Sequence, residues 1–404
     1  MPFVFSRYSG LLLIFFVHGL IYALLLLHRG IRDDKASDRW LAGFLALSIL
    51  YICPWMLGFA GWYDGINCLD CRNLMFYVPF QQGLLMGPVV YFYLKSLINP
   101  AFRFGKKELL HFAPGLLYLL WSLFVFIADR LVLQEYHFMD GVSDPDLDNW
   151  YVSASLASLL LYLLQCFRVY RNYRANIVEQ LSFADSVTFR WVQHFLISLF
   201  LYFLIAAVFQ GLNLLGLDLD YTGNWWYYLL FGFIFYYIGI KGYANSVETR
   251  LHLKYDALAP APGQTPAAAF REPAEEAQPA VAETAPVKEI SDLEVWKEKL
   301  LHAVVAEKAY ADPELTLQQL ARHLNTNSSL LSRVINTGFK LNFNDFINLY
   351  RVEEVRRKLA SGDAGSVTIM SLAYDAGFNS KATFNRAFKK FTGKNPKDFL
   401  SGEA

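Results

Sequence analysis

Hydrophobic positions follow two different rhythms along this chain. Before Tyr243 they run in long, almost unbroken stretches, and after Asp312 they recur every three or four residues between short polar turns. The first rhythm predicts helices apolar all round, as in a bilayer, and the second predicts short amphipathic helices around a small core. Seven stretches approach the roughly 20 residues a helix needs to cross a hydrocarbon layer. They are Gly10–His28, Trp40–Ala60, Leu74–Leu94, Leu109–Ile127, Trp150–Cys166, Trp191–Asn213 and Trp225–Gly242. The first has no small-residue cleavage site behind it and reads as a retained span rather than a signal peptide.

Charge gives these spans a direction. The loops after spans one, three and five carry Arg29, Arg32, Lys35, Arg39, then Lys95, Arg103, Lys106, Lys107, then Arg168, Arg171, Arg174 and Arg190. The opposite loops offer Arg7, Arg72 and Arg130 among many acidic residues. Basic loops stay in the cytoplasm, so the N-terminus is expected outside and the C-terminus inside, in a bacterial inner membrane. Trp40, Trp62, Trp150, Trp191, Trp225 and Trp226 fall near span ends, where an aromatic belt is expected.

Polar side chains within spans are candidates for a ligand cavity: His18, Gln81, Gln82, Gln165, His194, Gln210 and Asn213. The alternative is hydrogen bonding between helices, at about 0.6–2 kcal/mol each. Pro54, Pro79 and Pro88 are expected to kink spans two and three. Cys68 and Cys71 form a C-x-x-C in the first outer loop, where a loop-closing disulfide, a redox pair and half a metal site are the readings open to it. Cys53 and Cys166 lie within spans and read as packing residues. No metal, cofactor or catalytic constellation is expected, because the chain lacks H-E-x-x-H, a phosphate-binding glycine loop, a kinase signature and G-x-S-x-G.

Residues 244–288 are rich in Ala, Pro and Glu and predict a flexible tether that buries no core. Beyond it, residues 289–404 read as an all-α domain. Ile290, Leu293, Trp296, Leu300, Leu301, Val304 and Val305 make a helical stripe suited to core packing or to pairing with a second copy. Two helix-turn-helix patterns follow, at about 316–337 and 367–391. In the first, Leu317, Leu320, Ala321 and Leu324 face inward, Asn325–Asn327 turn, and Ser328 is expected to cap a helix with Leu331, Val334 and Ile335 inside. In the second, Ile369, Leu372 and Ala373 face inward, Gly377-Phe378-Asn379 turn, and Ser380 caps a helix carrying Phe384, Ala387, Phe388 and Phe391. Residues 343–360 predict one longer helix joining the two units. Residues 316–404 hold 13 Lys/Arg against 7 Asp/Glu, a local excess that a chain of zero formal net charge conceals. The outward positions Ser329, Ser332, Arg333 and Asn336, then Lys381, Thr383, Asn385 and Arg386, suit groove contacts, and Lys389 and Lys390 suit phosphates.

The segments LTLQQLARHL, LLSRVIN, NFNDFINLYRVEEVRRKLA, IMSLAYDAGFNSKATFNRAFKKF and TGKNPKDFL resemble the AraC/XylS family of transcription regulators. That resemblance implies two helix-turn-helix units entering successive major-groove segments on one DNA face. It implies base-reading roles for Ser329, Ser332 and Arg333, and for Lys381, Ala382, Thr383, Asn385 and Arg386. Ala382 stands where the family often has serine, and Asn395 where Ser or Thr usually precedes the last proline. The layout resembles multi-span members of the family rather than those with a sugar-binding barrel.

The expected protein is therefore all-α: a seven-helix transmembrane bundle over 1–243, a linker, and a DNA-binding domain. Its expected partners are double-stranded DNA, the lipid bilayer, a second copy of itself and an unidentified small-molecule or envelope signal. A transporter or channel with an accessory DNA-binding module is the alternative, although no Asp or Glu lies deep in a span.

Overall fold

The computed structural model describes residues 4–63, 68–99, 102–140, 144–184, 190–217, 220–244, 292–360 and 368–401. The tether expected over 244–288 lies, apart from Ala244, outside the described residues. Among them the fold is helical, with one isolated antiparallel bridge between Leu181 and Thr316 and no named strand. The chain divides into two compact units, residues 1–170 with 190–257 and residues 171–189 with 258–404. Residues 171–184 thus group with the second unit rather than with the residues before them.

In the first unit the helices are α1 (Arg7–Arg32), α2 (Ala36–Phe59), α3 (Leu69–Tyr77), α4 (Gly83–Ile98), α5 (Ala113–Phe126), α6 (Asn149–Gln180, whose last ten residues fall in the second unit), α7 (Arg190–Leu214) and α8 (Tyr221–Ala244). Among the described residues, five helical stretches are long and apolar enough to cross a membrane by length and composition: Arg7–Arg32, Ala36–Phe59, Lys106–Leu133, Asn149–Gln180 and Trp191–Leu214. Their large apolar side chains point outward in many places, among them Ile14, Leu24, Leu117, Leu120, Leu161 and Val208. Exposed apolar surface of this extent is more than a helix in water usually carries. Helix α2 is central, and an Arg29–Asp38 ion pair at 2.6 Å ties it to α1. Arg29 also donates to the Tyr243 carbonyl at 2.9 Å, which anchors the end of α8.

The expected third span, Leu74–Leu94, is not one helix. It breaks between Tyr77 and Gly83, leaving α4 with 16 residues. Proline has no N–H and disfavours helical backbone in the residue before it, so Pro79 ends α3 at an extended Val78. Burying such a break requires partners for the freed backbone groups. The Gln81 N–H donates to the Asp146 carboxylate at 2.8 Å, and the Gln82 side-chain amide to the Pro79 carbonyl at 2.5 Å. Cys68 and Cys71 are joined by a disulfide at the start of α3.

The second unit is built on α9 (Leu293–Leu301), α10 (Leu317–His323), α11 (Ser328–Gly338), α12 (Phe343–Ala360), α13 (Ile369–Asp375), α14 (Lys381–Thr392) and α15 (Pro396–Ser401). Helix α12 serves two cores in succession. Its Phe343, Phe346 and Ile347 pack with Leu317, Leu320, Leu331, Val334 and Ile335, whereas its Val352 and Val355 pack with Leu372, Phe378, Phe384 and Phe388. The stripe beginning near Leu293 joins the first core through Leu300, Ala303 and Val304, with Leu293 and Trp296 at its edge. Core packing therefore accounts for that stripe, although Val305 is exposed and Ile290 lies outside the described residues.

Candidate nucleic-acid interface

Each recognition helix is set by local chemistry at its start. Thr316 opens α10 with a reciprocal cap to Gln319, and Asn325, at φ 53°, turns the chain out of it. A short polar side chain tolerates that left-handed backbone better than most. Asn327, rather than the expected Ser328, then caps α11 by accepting from the Leu330 N–H at 2.8 Å. The amide reaches the third backbone N–H from one residue further back, which makes Ser328 the first helical residue. In the second unit Gly377 makes the turn at φ 93°, and Ser380 caps α14 through the Thr383 N–H, as the sequence predicts. Phe378 belongs to the core as well as to the turn, since it is 1% exposed.

Against this scaffold, Ser329, Arg333, Lys381, Ala382, Asn385, Arg386, Lys389 and Lys390 are exposed. They occupy the outward faces of α11 and α14, one recognition helix in each unit. Thr383 is buried and shares its hydroxyl with Ser380 at 2.8 Å, so it holds the start of α14 in shape. Ser332 is buried and Asn336 half-buried, because other residues of this unit cover that edge of α11. Lys390 pairs with Asp345 on α12 at 2.6 Å, and a phosphate contact would exchange one anion for another. Partial desolvation, and then the like charge of Arg174, hold the Arg386 guanidinium below its ordinary pKa. An Arg386→Ala variant should lose about 1–3 kcal/mol of specific DNA binding and relax one base preference. Equal losses on operator and unrelated duplexes in a binding titration would refute a base-reading role.

Elsewhere, in the first unit, a cavity of about 210 Å³ collects some of the polar residues expected within spans. Gln81, Gln210 and Asn213 line it, whereas His18, Gln82, Gln165 and His194 do not. Gln165 and His194 are exposed, and His18 packs at a tilt against the Tyr236 ring. Tyrosines that hydropathy counts as apolar complete the wall: Tyr51, Tyr151, Tyr202, Tyr227 and Tyr228. Their hydroxyls form a relay, Tyr51 to Tyr227 at 2.8 Å and Tyr227 to Tyr202 at 3.2 Å, with the Gln81 amide donating to Tyr228 at 2.9 Å. Trp55 Nε1 and Ser155 Oγ at this wall lie near the Tyr228 and Tyr151 hydroxyls yet complete no hydrogen bond. Among the described residues no charged side chain lines the cavity. Below Gln81, burial pushes Asp146 up to about 7, helped by the neighbouring Asp144.

Two helix-turn-helix units sharing one helix define the second unit as a DNA-binding module of transcription regulators, and its relatives agree. A family of helix-turn-helix domains of AraC type matches residues 320–402. An uncharacterized HTH-type transcriptional regulator of Staphylococcus aureus (strain COL) is 33% identical over 86 residues, which cover 21% of this chain and 11% of that protein. The melibiose operon regulatory protein of Escherichia coli (strain K12) is 27% identical over 88 residues, 22% of this chain and 28% of that one. The similarity thus spans between 11% and 28% of the length of those relatives. No solved structure matches the chain.

Proposed function

We propose that this chain is an integral-membrane, one-component transcription regulator. It would read operator DNA with α11 and α14 and adjust that reading to a signal received by the apolar helices. The observation that carries this proposal is the pair of helix-turn-helix units built on successive stretches of α12, behind a region whose helices expose apolar side chains. A rigid shared helix fixes the spacing of two recognition helices, as binding to successive turns of one DNA face requires. The basic loops support an orientation with the DNA-binding module in the cytoplasm, the compartment of the DNA. The uncharged cavity, walled by tyrosines and amides, suits a small neutral ligand with hydrogen-bonding groups. Activity as an operon regulator, as the name of the Escherichia coli relative states for that protein, belongs to the same proposal.

The test is operator selection from fragmented genomic DNA with the full chain in lipid nanodiscs. Recovery of one sequence motif supports a regulator. Recovery of none, together with solute uptake into vesicles, would favour the transporter reading instead. For topology, a reporter fused after Asp140 should be active outside and one fused after Asp256 inside. The reverse pattern would place the DNA-binding module away from DNA and dismantle the scheme.

A further inference from the structure

The second unit contains a segment that does not belong to the DNA-binding module in sequence. Residues 171–184 follow the apolar part of α6 and precede α7, yet they are folded into this unit. Tyr173, Asn176, Ile177, Leu181, Ser182, Phe183 and Ala184 are all buried. Leu181 bridges Thr316 in antiparallel fashion, and the Ser182 N–H donates to the Leu315 carbonyl at 3.2 Å. Three side chains of α12 converge on the Ser182 carbonyl: Asn344 at 2.9 Å, Asn348 at 3.3 Å and Arg351 at 3.3 Å. Arg351 also donates to the Ser182 hydroxyl at 3.1 Å. Buried polar groups on α12 are thus satisfied by a piece of chain that lies, in sequence, between two apolar helices.

The docked segment reaches the reading face of α11. The Glu179 carboxylate accepts from Ser332 Oγ at 3.4 Å and from Asn336 Nδ2 at 3.2 Å. Those two residues are one helical turn apart and share a face. Ser332, at 2% exposure, is sealed from any base edge while the segment is in place. A carboxylate is acceptor-only and negative, so it occupies the donors that would meet base acceptors or phosphates and also repels the DNA backbone.

We propose that residues 173–184 and operator DNA compete for the first helix-turn-helix unit, so that the chain carries its own occluding partner for α11. This inference rests on the regulator reading above and supplies its switch. The segment includes the end of α6, so a rearrangement of that helix acts on it. Apparent affinity for DNA is then the intrinsic affinity reduced by the undocked fraction.

The experiment measures operator binding by the full chain in nanodiscs, using the duplex recovered by selection. Glu179→Ala should tighten binding about tenfold by raising the undocked fraction. A Leu181→Cys/Thr316→Cys pair should bind about tenfold or more weakly when oxidised and recover on reduction, with the untouched chain under the same reductant as control. Hydrogen exchange at 176–184 should rise when operator is added. Unchanged affinity in Glu179→Ala, or an oxidised pair that binds as well as its reduced form, would overturn the competition. Binding that weakens in Glu179→Ala would also overturn it, and would make the segment a scaffold for DNA reading. If no form recovers any DNA sequence, the regulator reading itself falls, an outcome distinct from equal binding by all forms.

Discussion

Replacing Arg351 by alanine should cost the second unit about 3–5 kcal/mol, because several buried carbonyls lose their donors and a cavity opens. Arg351 is 1% exposed, and burial lowers its pKa to about 10, so it remains charged at neutral pH. It donates from Nε to the Tyr310 carbonyl at 2.8 Å and from Nη2 to the Asp312 carbonyl at 2.6 Å, besides its contacts with Ser182 and with Asn348 at 3.2 Å. Truncation leaves several carbonyls without these donors, at about 1–3 kcal/mol for each that stays dry, and also opens a cavity. Lysine should not rescue it, because one ammonium cannot reproduce the fork that meets Tyr310 and Asp312 together. Hydrogen exchange of the α10 and α13 amides in the full chain reads the loss directly. Protection unchanged within about 0.5 kcal/mol would mean that the network adds nothing net to the stability of the unit.

Arg351 also shows where the sequence stopped being legible. Periodicity locates the long helix over 343–360, both helix-turn-helix units, the Gly377 turn and the Ser380 cap. It passed over Asn344, Asn348 and Arg351, although their spacing of four and three residues places them on one face of that helix. A polar stripe usually marks solvent, and only a partner from far along the chain turns it into a buried one. In residues 171–184 the sequence offers basic charges that set orientation, and nothing local in them announces a docking strand. The broken third span illustrates a second limit. Pro79 signalled a kink, but the full break depends on Asp146, 65 residues later, meeting the freed Gln81 N–H. The cavity shows a third limit, since tyrosines score as apolar positions until packing brings their hydroxyls together.

Gly377→Ala should be the most damaging small substitution in the second helix-turn-helix unit, at about 2–5 kcal/mol, combining left-handed backbone strain with overpacking. At φ 93° a Cβ would strike the Tyr310 carbonyl oxygen and come within 2.8 Å of the Ala311 carbonyl oxygen. Both obstacles are backbone atoms of one short turn, Ala309–Ala311, and Arg351 holds that turn through the same Tyr310 carbonyl. Relief therefore means moving the turn off the guanidinium, so the two substitutions should be coupled. An Arg351→Ala/Gly377→Ala double variant should fall short of the summed losses by about 0.5–3 kcal/mol. Gly393 supplies the internal control, because it ends α14 at φ 77° with nothing within 4 Å of an added Cβ. Gly393→Ala should carry the backbone strain alone, about 1–2 kcal/mol. The difference between the two glycines isolates the close approach of the turn. Equal losses in exchange-monitored unfolding would show that the Tyr310–Ala311 backbone yields freely, and would remove the rigid junction assigned here to Arg351.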